Sequence, residues 1–251
     1  MTAAPRELPD EYYAQYIEAG NHWWFRGRER ILRAVIEPHV RLSPGATIAD
    51  VGSGPGGPTR RLFPHQRIVA VDLSARVLSA YSSASAAVVG DAARMPFRAE
   101  SLGGICAFDV LEHLEDDGGA VKNWHGALSP GGWLIVTVPA YDALWSTSDD
   151  VDRHFRRYRA RELRSRLRGA GFEIVRMSYF NTLLLPAVAI AKWAARLTQP
   201  SAANGRNSEL DLRLPRWLER GLEGIFGAEA AWLGRANLPM GVSIVALARR
   251  S

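Results

Sequence analysis

The chain of 251 residues contains one cysteine, Cys106. An internal disulfide is excluded, and a lone thiol fits a reducing compartment. Lysine is nearly missing: Lys122 and Lys192 stand against 29 arginines. That ratio says little about function, because coding bias alone produces it; the net charge of +5 only mildly favours an anionic partner. No apolar stretch is both long and charge-free enough to cross a bilayer. Met1 to Glu11 holds Pro, Arg and acids with no apolar h-region, so a cytoplasmic protein is expected. No RNA-binding module and no N-P-P-[YF] motif is found, so a nucleic acid partner is not expected. What remains is a hydrophobic content of 47 %, enough for the core of one large α/β domain.

That domain centres on Ile48-Ala49-Asp50-Val51-Gly52-Ser53-Gly54-Pro55-Gly56-Gly57. An apolar run entering glycines reads as a buried parallel strand that ends in a tight loop. Pro58 suits the first position of a following helix. Strand, glycine loop and helix N-terminus form a nucleotide-type cradle. Gly52, Gly54 and Gly57 fit the dinucleotide fingerprint G-x-G-x-x-G. Asp50, Gly52, Gly54 and Gly56 equally fit D-x-G-x-G-x-G, the loop of S-adenosylmethionine (SAM) methyltransferases. Asp50 discriminates between them. A carboxylate there repels a pyrophosphate and attracts a ligand carrying an ammonium and a sulfonium.

Further strands follow, and acids close them. Arg67 to Asp72 is a second strand; Asp72, with its neighbour Leu73, is placed to take the two ribose hydroxyls of an adenosine. Ser74 is a good cap for the next helix. Ala86 to Ala92 is a third strand, with Asp91 and the small Ala92 suited to an adenine edge. A dinucleotide site has no standing need of this second acid. Gly103 to Asp109 is a fourth strand, continuing into Val110-Leu111-Glu112-His113, and Trp133 to Val138 is a fifth, entered through Ser129-Pro130-Gly131-Gly132. Strands over 173–180 and 241–249 complete the set. A helix is expected over Asn21 to Val40, and others over 120–128 and 160–169.

In order and spacing, DVGSGPG, the acid after the second strand, GDA, FDVLEHLED and LSPGGWLIVTVP resemble class I SAM-dependent methyltransferases. The likeness is strongest to the small-molecule group that includes quinone-biosynthesis and natural-product enzymes. It covers about residues 28–176 and returns at the C-terminus. The resemblance implies a Rossmann-like sheet of seven strands, ordered 3-2-1-4-5-7-6 with the last antiparallel. It implies SAM as cofactor, with S-adenosylhomocysteine as product. Asp50, Gly52, Gly54, Gly56, Asp72, Asp91, Ala92 and Phe108 carry the SAM positions.

The organisation expected is a single methyltransferase domain over 1–251. It comprises an N-terminal helical lid (1–45), a SAM-binding core (46–180 and 240–251) and a helical insertion (181–239). The insertion departs from the minimal family pattern. It holds an apolar helix over 182–197, a polar stretch over 201–208 and an amphipathic helix over 212–226. A substrate cap, a homodimer surface and a peripheral membrane contact are all open readings of it.

A methyl acceptor attacking through oxygen must lose a proton, and imidazole titrates near working pH. His113, after the fourth strand, and His154, in the loop over 141–159, are the candidate catalytic bases. Glu112 and His113 equally read as a brace at a helix start. No third ligand falls at convincing spacing for a metal, so none is expected. Arg28 is a candidate partner for the methionine carboxylate. Trp24, Tyr141, Trp145, Arg157 and Tyr158 are candidate substrate contacts, the loop closing over a small or lipid-linked acceptor. The expected reaction is methyl transfer to O or N, or to C. A nucleotide-dependent oxidoreductase and a non-catalytic SAM-fold binding protein are the alternatives.

Overall fold

A computed structural model describes residues 23–81, 83–198 and 215–251, without the side chains of 193–198. The elements, in chain order, are α1 (Trp23–Ile36), β1 (Thr47–Val51), α2 (Thr59–Leu62), β2 (Arg67–Asp72), α3 (Ala75–Ala80), β3 (Ala86–Val89) and β4 (Leu102–Phe108). Then come α4 (Asp117–Ala127), β5 (Leu128–Pro139), α5 (Thr147–Val151), α6 (Ala160–Gly169), β6 (Phe172–Phe180), α7 (Leu185–Thr198), α8 (Arg216–Leu233) and β7 (Ser243–Arg250).

The strands form one seven-stranded sheet ordered β3-β2-β1-β4-β5-β7-β6. β1 lies parallel to β2 and β4, with Asp50 beside Ala70 and Cys106. β7 is antiparallel to both β5 and β6. Central strands are apolar on both faces because each face is covered. Ile105, Ala107, Leu134 and Val136 pack towards α4 and α6, while Ile48, Cys106, Ile135 and Leu247 pack towards α1 and α8.

Several boundaries differ from the sequence reading. α1 ends at Ile36 rather than Val40, since Pro38 disfavours helical geometry at the residue before it. Pro58 precedes α2 as its N-cap. β3 stops at Val89, because Asp91 turns to cap a 3-10 turn at Ala92–Arg94, accepting a hydrogen bond from Ala93 N at 2.8 Å. Ser74 stands at the N-cap of α3, yet its hydroxyl makes no capping bond. β5 starts at Leu128, and Ser129 to Gly132 bulge within it: Leu102 pairs with Leu128, but Gly104 with Trp133.

Among its described residues the insertion forms two helices. α7 begins at Leu185, which places Pro186 in its first turn, where no intrahelical N–H is missed. α8 starts after Pro215 and runs on to Leu233, because Ala230 and Leu233 continue its buried stripe. Leu212 and the polar stretch 201–208 lie outside the described residues. α8 pairs with α1: Phe226 meets Trp23 and Trp24 edge-to-face at 5.8 and 5.4 Å, and Arg26 Nε donates to Glu223 at 2.8 Å. Among the described residues no helix is long and apolar enough to cross a membrane.

Gly27 sits at this seam, where an added Cβ would stand 2.6 Å from Phe226 Cγ. In an exposed helix Gly→Ala gains roughly 0.5–1 kcal/mol. Here overpacking against a buried ring outweighs that gain, at about 1–3 kcal/mol. Gly27→Ala is expected to lower the urea unfolding midpoint, and Gly27→Ala with Phe226→Leu to recover part of the loss.

Candidate functional site

The carboxyl ends of β1, β2 and β4 meet at the glycine loop. Gly52, Gly54 and Gly56 have φ of +58, +54 and +114°, backbone that other L-residues rarely adopt. A Cβ on Gly52 would stand 2.7 Å from Val110 Cγ2, whereas one on Gly54 would meet nothing within 4 Å. The loop is therefore backed by Val110 and open at Gly54, where a ligand can lie against bare backbone. Asp72 fixes that opening: its Oδ2 accepts from Gly54 N at 3.0 Å and its Oδ1 from Ser74 N at 3.1 Å.

Asp50 sits beneath the loop and is 2 % exposed. Its oxygens accept from the hydroxyls of Thr59 at 2.7 Å and Tyr81 at 2.9 Å. Burial pushes its carboxyl up to about 7, outweighing the two hydrogen bonds, and the charge of Asp72 adds to the rise. Its two direct partners are thus internal, and in this arrangement it acts on the cradle through the loop.

Arg28 of α1 reaches the end of β4. It is buried, pairs with Asp109 at 2.6 Å, donates to Thr137 and lies 5.9 Å from the Phe108 ring centroid. A free guanidinium awaiting a methionine carboxylate is not what this places; Arg28 is already held by Asp109, and only its Nε is buried without a partner. Trp24 lies in the α1–α8 seam.

The loop after β5 folds back over the end of β4. Phe155 N donates to the Glu112 carbonyl at 2.7 Å. This contact brings the two separate base candidates together: the rings of His113 and His154 lie 4.6 Å apart, nearly perpendicular. Asp149 stands behind them, its Oδ1 2.8 Å from His154 Nδ1. Arg157 donates to Asp149 through Nε at 2.7 Å and Nη2 at 3.0 Å. Burial alone would raise the Asp149 carboxyl, but the bonds from His154 and Arg157 and the Arg157 charge hold it well below the usual range. Burial and the neighbouring His154 lower His113 to about 4, so it is a neutral imidazole at pH 7. Glu112 is fully buried, and burial with Asp109 nearby pushes its carboxyl up.

Of the loop residues expected to touch substrate, Arg157 and Tyr158 are buried braces. Tyr158 donates to Asp117 at 2.8 Å, which leaves its hydroxyl committed inside the fold. Tyr141 stacks on Tyr179 at 5.3 Å, and Trp145 Nε1 donates to Asp150 at 2.9 Å. Residues the sequence reading gave no role in the site include Thr59, Tyr81 and Asp149. Only Asp149 had a local signal, Ser146-x-x-Asp149, and the structure forms that capping box. Lys192 of α7 donates to Ser146 Oγ at 2.9 Å, fastening the insertion to the same loop.

Below pH 7 folded Asp50 holds a proton that the unfolded chain, with a carboxyl near 3.8, has released. The native state binding more protons, stability falls as pH rises from about 4 to 7, by at most about 4 kcal/mol. Urea titrations are expected to show wild type losing stability relative to Asp50→Asn across that window, with no further divergence above it.

Comparison with known proteins agrees with this geometry. Residues 49–136 match a family described as methyltransferase domain. The Haloferax volcanii methyltransferase solved with its Trm112 activator is similar at 16 % identity, with TM-score 0.63, covering 98 % of this chain and 97 % of that one. Haemonchus contortus phosphoethanolamine N-methyltransferase 2, solved with SAM, gives 16 % and 0.59, covering 95 % of this chain; this chain spans 56 % of that one. The [4+2]-cyclase SpnF gives 19 % and 0.56, covering 89 % and 80 %. No curated protein matches by sequence. Residues 49–136 thus resemble a methyltransferase domain, the sheet has the strand order of the class I SAM-dependent methyltransferase fold, and SAM is the cofactor which such a domain implies.

Proposed function

We propose that the protein transfers the methyl group of SAM to an oxygen or nitrogen nucleophile of a small or lipid-linked metabolite. The observation that carries this is the open glycine at Gly54, gripped by Asp72 at the end of β2. In this reading Asp72 receives the ribose hydroxyls, with Leu73 beside it. Asp91 and Ala92 receive the adenine edge. Gly52 and Gly56 shape the loop, and Asp50 supplies negative charge from below. Arg28 would meet the methionine carboxylate only by sharing Asp109's hold on it.

The acceptor's lone pair attacks the methyl carbon, the carbon–sulfur bond breaks with its electrons going to sulfur, and S-adenosylhomocysteine leaves. An oxygen nucleophile also surrenders a proton. The facing pair His113 and His154 is the candidate to receive it, and Trp24, Tyr141, Trp145, Arg157 and Tyr158 shape or brace the surroundings. Alignment by itself is worth on the order of 7–11 kcal/mol. The insertion reads best as a cap, supported by the Lys192–Ser146 bond over the loop. Exposed Trp217 and Trp232 on α8 favour a second role at a lipid surface or a homodimer. A cytoplasmic location goes with the single buried thiol. Likeness to the [4+2]-cyclase supports a second reading, a SAM-fold protein that transfers no methyl group; a nucleotide-dependent oxidoreductase is disfavoured by the acid under the loop.

Thermal melting should rise with SAM or S-adenosylhomocysteine and not with NADH. Asp72→Ala, which removes a charged acceptor of hydrogen bonds, should weaken SAM binding roughly 10–100-fold, each such bond being worth about 1.5–3 kcal/mol. Candidate acceptors offered with methyl-labelled SAM should take up label in wild type and not in that variant. SAM protection without label transfer to any acceptor would favour the non-catalytic reading; protection by NADH in its place would end the proposal.

A further inference from the structure

We propose that Glu112, His113 and His154 bind a divalent first-row transition ion, with zinc the first candidate. The three residues each offer a ligand atom, and those atoms lie within 4.8 Å of one another. Metal–ligand bonds of 2.0–2.2 Å place such atoms roughly 3.0–3.5 Å apart, so a modest closing of the loop completes the set. Two imidazoles and one carboxylate suit zinc, iron(II) or cobalt(II) rather than calcium or magnesium.

An independent observation points to an absent cation. The Glu112 side chain is fully buried, and neither carboxylate oxygen makes a hydrogen bond to another residue. Burying such a group unpaired is costly. The arginines near enough to act on it, Arg28 and Arg157, are taken by Asp109 and Asp149. A cation at the three-residue cluster would supply the missing partner.

Both histidines are also oriented as ligands are. His154 Nδ1 is occupied by Asp149, which leaves Nε2 directed elsewhere. His113 is hydrogen-bonded to the backbone of Asp152. An acceptor on the second ring nitrogen fixes tautomer and orientation in metal sites. The loop contact from Phe155 N to Glu112 O keeps both halves in register. The sequence hid this site because its ligands are 41 positions apart, and only the fold of the loop after β5 brings them together.

Three protein ligands leave a position for water or for the acceptor's own oxygen. An acceptor hydroxyl bound there would release its proton to solvent at lower pH and present an oxygen anion to the methyl carbon. Val110, one turn before His113, backs Gly52 of the cofactor loop, so the two sites adjoin. That role rests on the methyl-transfer reading above; the binding of the metal does not.

The test uses full-length protein stripped with a chelator and titrated with Co²⁺ and with Zn²⁺. Wild type should bind one Co²⁺ per chain, with visible d–d absorption, and Zn²⁺ should displace it. Glu112→Gln and His154→Gln should each weaken binding by at least roughly 10–100-fold, the range seen even for outer partners of ligands. Glu112→Gln removes no hydrogen bond to another residue, so its urea midpoint in metal-free buffer should match or exceed that of wild type, which certifies its fold. Asp72→Ala should bind Co²⁺ as wild type does, separating this claim from SAM binding. Absence of one-to-one binding in wild type, or equal binding by a folded Glu112→Gln protein, overturns the proposal.

Discussion

A single buried carboxylate holds the candidate site together. Asp149 accepts two bonds from Arg157, bonds His154, caps α5 through Ser146, and stands 3.9 Å from Lys192 of the insertion. A charge taken out of water at this depth is tolerated only when its partners are complete. Removing one partner from such an arrangement typically costs about 3–5 kcal/mol. The loop after β5 is thereby committed to one shape, and that shape carries His154 to His113. Without it the two imidazoles would be separate surface groups.

The other half of the site depends on a different economy. Class I sheets present their carboxyl ends along one edge, and ligands lie outside it, at the strands where the order reverses. In this chain the reversal falls between β1 and β4. The glycine loop leaves β1 there, and Val110 follows β4 to back it. Asp72 spends both oxygens on the loop and on the turn beyond β2, so it fixes the cradle before any ligand arrives. Asp50 is hidden below, and burial outweighs its two hydroxyl donors, which raises its carboxyl to about 7.

The strand framework was legible because buried parallel strands leave a plain signal: short apolar runs ending in glycine or an acid. Arg67–Asp72 was read to the residue. Edges that answered to single side chains were less so. Asp91 turned from strand end to cap, and Ser129 to Gly132 became a bulge because β4 and β5 pair on either side of it. Within the site, the glycines and strand-end acids were named from their spacing together with the family resemblance. Arg28, Arg157 and Tyr158 were named too, but as ligand contacts; the structure spends each on an internal acid, Asp109, Asp149 or Asp117.

The sequence by itself determined the individual strands, the glycine cradle and the acids that close it, because these follow from local periodicity and from residues a few positions apart; the order of the strands in the sheet came from the family resemblance. It could not determine which charges neutralise one another, since an ion pair depends on where distant segments meet. Only the tertiary structure decided that His113 and His154 are neighbours, that Glu112 is left buried and unpartnered beside them, and that Lys192 reaches from the insertion to their loop. The reason is physical: periodicity encodes which face is buried, whereas the cost of a buried charge is settled by whatever the fold places next to it.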